Sequence, residues 1–113
     1  MLNKIVSLSK NEDFKKLLTG RKTSNKYFTV FFKKIAEKDH NNLNISFVVK
    51  RKLGNAVKRN KIKRRLKNIM GDANKKISIN GNYSYLVIAK ETILKDEYKN
   101  IKKTLFIEFE KIK

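Results

Sequence analysis

Residues 50–67 form the most strongly charged segment of the chain and the one best suited to bind phosphate. They read KRKLGNAVKRNKIKRRLK, in which ten of eighteen residues are Lys or Arg and none is acidic. Four of the chain's five arginines lie here, namely Arg51, Arg59, Arg64 and Arg65. Arginine carries a planar fork that grips a phosphate through two hydrogen bonds and stacks on bases, so the segment predicts specific contacts with nucleic acid.

The whole chain shares this bias. Its 113 residues include 29 Lys and Arg against 10 Asp and Glu, a formal charge of +19. This is far more than solubility requires, and it indicates a polyanionic partner. Because 40% of the residues are hydrophobic, the chain has enough apolar material for a core. We expect one folded domain that spans residues 1–113.

A basic run is more often a solvated helix face than a binding site, and this alternative has to be weighed. Solvated faces normally mix charges of both signs, whereas here like charges three and four residues apart repel each other. On a helix, Asn60, Lys63, Arg64 and Lys67 share a face roughly opposite the apolar residue Ile62. We therefore predict a helix with one side for the core and one for nucleic acid.

The sequence shows no active site of its own. The absence of Cys excludes a thiolate zinc site and cysteine catalysis. Glu37, Asp39 and His40 could be drawn as a metal site, but a solvated polar loop is the stronger interpretation. No phosphate-binding glycine motif or serine triad occurs, so we expect neither catalytic nor metal-ligating residues. No apolar run is long enough to span a membrane and no signal segment is evident, which predicts a cytoplasmic protein without membrane contact.

Three helices are predicted from apolar periodicity and capping signals. A first short helix follows a capping box formed by Ser9 and Glu12, and ends near Gly20. A long amphipathic helix begins near Ala56, and its apolar spacing reaches residue 77. A final helix begins at about Asp96. The apolar positions of the three helices are Phe14, Leu17 and Leu18, then Ile62, Leu66, Ile69, Met70, Ala73 and Ile77, then Tyr98, Ile101, Leu105, Phe109 and Ile112.

Strands are predicted at residues 27–34, 43–49 and 83–89, with room for another short strand at 22–24. The polar residues 35–42 are interpreted as a hairpin loop between the first two of these strands. The nearly continuous apolar run at 83–89 suits the middle of a sheet. On the strand at 27–34 both faces carry rings, Phe28 and Phe32 on one and Tyr27 and Phe31 on the other. The sequence does not decide which face fills the core and which is open to stack bases.

Residues 54–64 carry the pattern Gly-x-Ala-Val-x-Arg-Asn-x-x-Lys-Arg. On this pattern the chain resembles the protein subunit of bacterial ribonuclease P, whose signature is known as RNR. Other features agree in order, namely KNEDF at 10–14, GRK at 20–22 and VIA at 87–89. Lys61 stands where the signature usually has its second Arg, which keeps the charge but not the forked geometry. Taken together, the resemblance covers nearly the whole chain.

The resemblance implies a fold and an activity. The fold is α+β, an α/β sandwich with a mixed, largely antiparallel four-stranded sheet, three helices and a left-handed βαβ crossover that contains the RNR helix. The activity is the Mg²⁺-dependent endonucleolytic removal of the 5′ leader from precursor tRNA, with the catalytic groups and most of the bound Mg²⁺ on the RNA. The implied partners are ribonuclease P RNA and precursor tRNA, with no obligate protein partner evident.

The resemblance also assigns two sets of site residues. The first lies on the RNR helix and contacts the catalytic RNA: Lys58, Arg59, Asn60, Lys61, Lys63, Arg64, Arg65 and Lys67. The second lines a cleft for the single-stranded leader: Phe14, Leu18, Phe31, Val49, Lys50 and Lys52. The alternative function is a structural or ribosomal RNA-binding protein without a role in cleavage, which would share the charge but has no reason to reproduce the Gly-x-Ala-Val-x-Arg-Asn pattern.

Overall fold

The structure, a computed structural model, describes residues 2–8, 11–34 and 41–112. In chain order the strands and helices are β1 (Ile5–Val6), α1 (Asn11–Leu18), β2 (Arg21–Ser24), β3 (Phe28–Lys34), β4 (Leu43–Val48), α2 (Ala56–Lys76), β5 (Tyr83–Ala89) and α3 (Tyr98–Lys111). Short 3-10 helices at Arg51–Leu53 and Glu91–Leu94 follow β4 and β5. All three predicted helices are confirmed. No helix in this part of the chain is both long and apolar enough to cross a membrane.

The sheet has five strands in the order β1-β4-β5-β3-β2, one more than expected. β5 pairs parallel with β4 and antiparallel with β3, so the sheet is mixed as predicted. The additional strand is β1, whose two residues pair with Leu43 and Asn44 of β4. It escapes sequence analysis because two residues form no pattern. Asn74 of α2 holds the segment before β1 in place, since its side chain accepts from the backbone N–H of Leu2 at 3.1 Å and donates to the Leu2 carbonyl at 2.9 Å.

The predicted hairpin between the strands now labelled β3 and β4 is wrong. These strands are not neighbours, because β5 lies between them and pairs with both. β5 takes the central position because its sequence YSYLVIA offers side chains that can be buried on both faces. Helix α2 therefore connects parallel neighbours β4 and β5, which is the expected βαβ unit; its left hand stays a prediction. Residues 35–40, with the solvated loop assigned to Glu37, Asp39 and His40, lie outside the described residues, as does the Ser9 cap of α1.

The main core lies between one face of the sheet and the two long helices. α2 contributes Leu66, Ile69 and other side chains of its apolar stripe, and α3 contributes Leu105 and Phe109. The sheet contributes the alternate residues of β3, β4 and β5 that face these helices, namely Phe28, Val30, Phe32, Leu43, Ile45, Tyr83, Tyr85, Val87 and Ala89. Phe28 and Phe32 thus fill the core, which settles the choice that the sequence left open. Tyr27, expected on the other face, is also buried in this core.

The opposite face of the sheet is covered only in part. Helix α1 lies on it, and Leu17 packs there with Leu8 and with Leu86 of β5. Leu18, predicted to share the packed face of α1, is instead 51% exposed. With only eight residues, α1 is too short to cover a sheet of this width. A strip of this face therefore remains uncovered beside α1, and the candidate functional site lies along this strip.

Candidate nucleic-acid interface

The basic segment 50–67 folds into a short 3-10 helix and the first half of α2. Gly54 separates the two with a φ of 148°, a backbone conformation that other residues rarely adopt. Asn55 caps α2, because its side chain accepts a hydrogen bond from the backbone N–H of Lys58 at 3.0 Å. The glycine turn and the cap together fix where the RNR helix begins.

The N-terminal end of α2 is electrostatically unfavourable on its own. Its first turn contains no acid, and Lys58, Arg59 and Lys61 stand near the positive end of the helix dipole. These like charges also repel each other along the helix. A bound polyanion would relieve both effects, so this end of α2 is arranged for binding at the expense of stability.

An open groove joins the basic face of α2 to the aromatic side chain of α1. It is lined by Ser7, Phe14, Ser46, Phe47, Lys63, Arg64 and Lys67. Arg64 and Lys67 are exposed and Lys63 is half-buried, so their charged ends are accessible. The two sets of residues predicted from the sequence, on α2 and on α1, therefore meet along one groove.

The eight residues assigned to the RNR helix do not share one face. Arg65 lies on the opposite flank from Lys63, where it lines a small apolar pocket with Ile93 and Tyr98. Arg59 is half-buried, and its Nε is buried without a hydrogen bond to any described residue. The remaining three, Lys58, Asn60 and Lys61, are exposed. The helix thus presents a groove face with Lys63, Arg64 and Lys67, and a separate flank with Arg65.

The strip of sheet beside α1 crosses four strands in register. Val48 of β4 is opposite Ile88 of β5, Ile88 is opposite Thr29 of β3, and Thr29 is opposite Ser24 of β2. The first three are half-buried, and Ser24 is exposed. Half-buried Phe14 and Phe31 pack against the small cluster under α1 together with Val48 and Ile88. We call these six residues the trough; its rings and apolar floor are suited to stacking bases.

Lysines stand at both ends of the trough. Lys50 and Lys52 are exposed just after β4, at the Val48 end. At the Ser24 end, the Lys90 Nζ donates to Ser24 Oγ at 2.7 Å and to the Asn25 carbonyl at 2.6 Å. On β2, the Lys22 Nζ lies 6.0 Å from the centre of the Phe31 ring. The sequence alone assigned neither Lys90 nor Lys22 to the site. Strand alternation could have indicated them, because Lys90 lies two residues after Ile88 and Lys22 two residues before Ser24.

Comparison with known proteins assigns the chain to a family. The family model for ribonuclease P matches residues 2–113. The chain belongs to the ribonuclease P protein family. Among its relatives are the ribonuclease P protein components of Streptococcus mutans, at 30% identity over 92% of this chain and 83% of the relative, and Listeria innocua, at 31% over 92% and 85%. The family match and the relatives, which are ribonuclease P protein components, show that the chain has a subunit role in tRNA 5′ processing.

Solved ribonuclease P proteins share the fold. The Thermotoga maritima protein superimposes with a TM-score of 0.78 at 26% identity, covering 96% of this chain and 98% of that one. The Staphylococcus aureus protein gives a TM-score of 0.75 at 34% identity, with 94% and 93% covered. The resemblance drawn from the RNR pattern and the α+β fold are thereby confirmed.

The assignment of Val49 to the leader cleft of the ribonuclease P protein is wrong. The side chain of Val49 is 4% exposed and packs in the main core, on the face of the sheet away from Phe31. Its neighbour Val48 points to the trough instead. A shift of one residue along a strand moves a side chain to the other face. Leu18 is exposed on α1, four residues after Phe14, where it remains accessible to a ligand.

The part of the ribonuclease P protein that the structure describes holds no cluster of three or more acidic, His or Cys side chains fit for a metal ion. Several of the described acids are instead bonded to side chains elsewhere in the fold, namely Asp72, Asp96, Glu97 and Glu108. Asp72, for example, accepts from Lys102 at 3.0 Å, which lowers the pKa of Asp72. Within residues 2–8, 11–34 and 41–112, the side chains therefore do not form a site that fits Mg²⁺.

Proposed function

We propose that this ribonuclease P protein binds the catalytic RNA through the outer face of α2 and the single-stranded 5′ leader of precursor tRNA through the trough. The observation that carries the proposal is the groove in which Phe14 meets Lys63, Arg64 and Lys67. Because the groove joins both surfaces, one protein molecule contacts both RNA molecules at adjacent places. The leader is then held next to the RNA that cleaves it.

The two surfaces have different chemistry, which fits two different RNA structures. The α2 face offers Lys and Arg to phosphates and carries no aromatic side chain on which a base could stack, so it suits a folded RNA whose bases are paired. The trough offers half-buried rings and an apolar floor flanked by lysines. Unpaired bases stack on such rings while the lysines follow the backbone, so the trough suits a single strand.

The protein's part in the reaction is positioning and charge screening. With a net charge of +19, it offsets the repulsion between two RNA molecules and holds the leader against the catalytic RNA. Mg²⁺, bound mainly by the RNA, supplies the hydrolytic chemistry. We place this activity in the cytoplasm. The residues of this chain bind and orient, and none of them exchanges a proton with the substrate.

Cleavage of a 5′-labelled precursor tRNA at low Mg²⁺ tests the proposal. Bacterial ribonuclease P RNA alone, this protein alone and the two combined are compared. We expect cleavage at the mature 5′ end only in the mixture. If the protein binds RNA tightly and in a salt-sensitive manner but gives no cleavage, it is a structural RNA-binding protein instead.

A pair of variants tests the assignment of the two surfaces. Phe14→Ala removes a ring of the trough and should weaken binding of a precursor with a leader, while binding of mature tRNA is unchanged. Ile107→Ala removes an exposed apolar side chain from α3, on the other side of the sheet, and serves as the control. If Phe14→Ala weakens binding of both RNAs equally, the trough does not bind the leader.

A further inference from the structure

The segment between α2 and β5 contains an Asn-Gly pair that takes no part in the surfaces assigned to RNA. Asn80 is the one asparagine of the chain that a glycine follows. Asn80 and Gly81 are half-buried and Asn82 is exposed, so water reaches the pair. Gly81 and Asn82 form a turn before β5 begins at Tyr83. The peptide bond between Asn80 and Gly81 is therefore not fixed in a helix or in a strand ladder.

The side chain of Asn80 folds back over this turn. Its Oδ1 accepts a hydrogen bond from the backbone N–H of Asn82 at 2.9 Å, as in an Asx turn. The bond polarises the side-chain carbonyl and stabilises negative charge that develops on its oxygen. Gly81 lies between the two bonded groups in the chain, and it has no side chain that could hinder its nitrogen from reaching the Asn80 Cγ. The turn thus presents an activated amide to the following backbone nitrogen.

The charge of the protein also favours reaction at this pair. Attack by the Gly81 nitrogen requires that its N–H lose a proton, and a positive field stabilises the resulting anion. The chain carries a net charge of +19, and Lys75 and Lys76 are exposed in the last turn of α2, shortly before Asn80. The acid that precedes them in α2, Asp72, is paired with Lys102 at 3.0 Å.

We propose that Asn80 is a site of spontaneous deamidation, in which the Gly81 backbone nitrogen attacks the Asn80 Cγ. The new N–Cγ bond closes a five-membered succinimide, and the Cγ–Nδ2 bond breaks. The proton lost by Gly81 passes through solvent to the departing nitrogen, which leaves as ammonia. Water then opens the ring at either carbonyl and leaves aspartate or isoaspartate at position 80. Water is the co-reactant, and nothing is oxidised or reduced.

This modification would alter the start of the central strand. The phenol of Tyr85, which is fully buried in the main core, donates to the backbone carbonyl of Asn80 at 2.6 Å. Isoaspartate routes the backbone through the former side chain and makes that carbonyl part of a free carboxylate. A charge then stands at the edge of the core, where burial is unfavourable. The modified chain should be less stable, whereas the residues assigned to RNA binding, all outside residues 77–82, are unchanged.

Mass spectrometry of the purified full chain, before and after incubation in mildly alkaline buffer, tests the site. Trypsin releases residues 77–90 as one peptide, which contains both Asn80 and Asn82. We expect the mass gain of an amide-to-acid conversion at Asn80. Labelling by an isoaspartyl carboxyl methyltransferase with S-adenosylmethionine should detect isoaspartate as the main product. No conversion at Asn80 would overturn the proposal.

Asn82 and Gly81→Ala are the matched controls. Asn82 is the more exposed asparagine of the same turn but is followed by Tyr83, so it should convert far more slowly than Asn80. The φ of Gly81 is not positive, so alanine fits there, and its methyl group should slow conversion of Asn80 by an order of magnitude. If Asn82 converts as fast as Asn80, or if Gly81→Ala converts like the wild type, exposure alone sets the rate and the proposal is wrong.

Thermal unfolding of fresh and incubated protein tests the consequence for the fold. The incubated wild type should lose several degrees in Tm, while incubated Asn80→Gln, which forms the ring much more slowly, should lose none. Below its Tm, the incubated wild type should still bind ribonuclease P RNA like the fresh protein. If isoaspartate accumulates at position 80 without a change in Tm, the Tyr85 bond does not couple this site to the core. This site is independent of the proposed function, so neither test decides the other.

Discussion

The phenol of Tyr27 donates a hydrogen bond to the carboxylate of Asp96, 69 residues away in the chain. The bond ties the residue before β3, the strand that carries Phe31, to the segment before α3. Asp96 also accepts from the Asn100 side chain and the Glu97 backbone N–H, each at 2.7 Å. The hydrogen bond from Tyr27, followed by those from Asn100 and Glu97, holds the pKa of Asp96 well below its usual range. The bond to the Asp96 carboxylate also raises the pKa of Tyr27.

Replacing this carboxylate should destabilise the fold in a pH-dependent way. A lowered pKa means that the native state favours the charged form, so Asp96 stabilises the fold above the usual carboxyl pKa of about 3.9 and loses this effect as the pH falls further. Asp96→Asn should therefore be less stable than the wild type at pH 7, with a smaller difference at pH 3. Urea unfolding at both pH values measures this. Glu97→Gln is the control, and a difference for Asp96→Asn that does not change with pH would contradict the prediction.

Removing the guanidinium of Arg64 should weaken RNA binding through lost phosphate contact. Each phosphate contact contributes about one unit to the slope of log affinity against log salt. We expect Arg64→Ala to bind ribonuclease P RNA more weakly at low salt and to lower the slope by about one unit. Lys103→Ala, which removes an exposed charge from α3, should leave the slope nearly unchanged. An unchanged slope for Arg64→Ala would remove Arg64 from the phosphate contacts.

Adjacent valines at the end of β4 should give opposite results. Val49 is buried in the main core, so Val49→Ala should cost about 1.5–3 kcal/mol of stability. Val48 is half-buried on the floor of the trough, so Val48→Ala should cost less stability and weaken binding of a leader-bearing precursor. Chemical unfolding and holoenzyme binding measure the two effects. A larger loss of leader affinity for Val49→Ala than for Val48→Ala would contradict the placement of these side chains.

Two glycines of the basic segment and its helix should respond oppositely to alanine. Gly54 has a φ of 148°, and a Cβ there would lie 3.0 Å from the side chain of Lys58, so Gly54→Ala should destabilise by about 1–3 kcal/mol. Gly71 lies within α2, and a Cβ there meets nothing within 4 Å. Gly71→Ala should stabilise by about 0.5–1 kcal/mol because alanine favours helix. Thermal unfolding compares them, and a neutral Gly54→Ala would show that the turn does not need glycine.

Much of the secondary structure follows from the sequence because its causes are local. The spacing of Ile62, Leu66 and Ile69 predicts α2, and Asn55 is well suited to cap it where the helix begins. The continuous apolar run of β5 predicts a central strand. The density of Lys and Arg in residues 50–67 predicts a phosphate-binding face, since side chains four residues apart must share a side of any helix. The RNR pattern leads to the family for the same reason, as its residues are contiguous.

The strand order and the open face of the sheet depend on tertiary structure. Alternation shows that Phe31 and Phe32 point to opposite faces, but both faces of β3 are aromatic, so the side covered by α2 and α3 is not encoded locally. The resemblance assigned Val49 to the cleft, and only the packing of the sheet shows that Val48 points there instead. Lys22 reaches the site because β2 pairs with β3, and Lys90 because β5 lies between β3 and β4. These are pairings between distant segments, whose energies arise only when the sheet and its helices pack together.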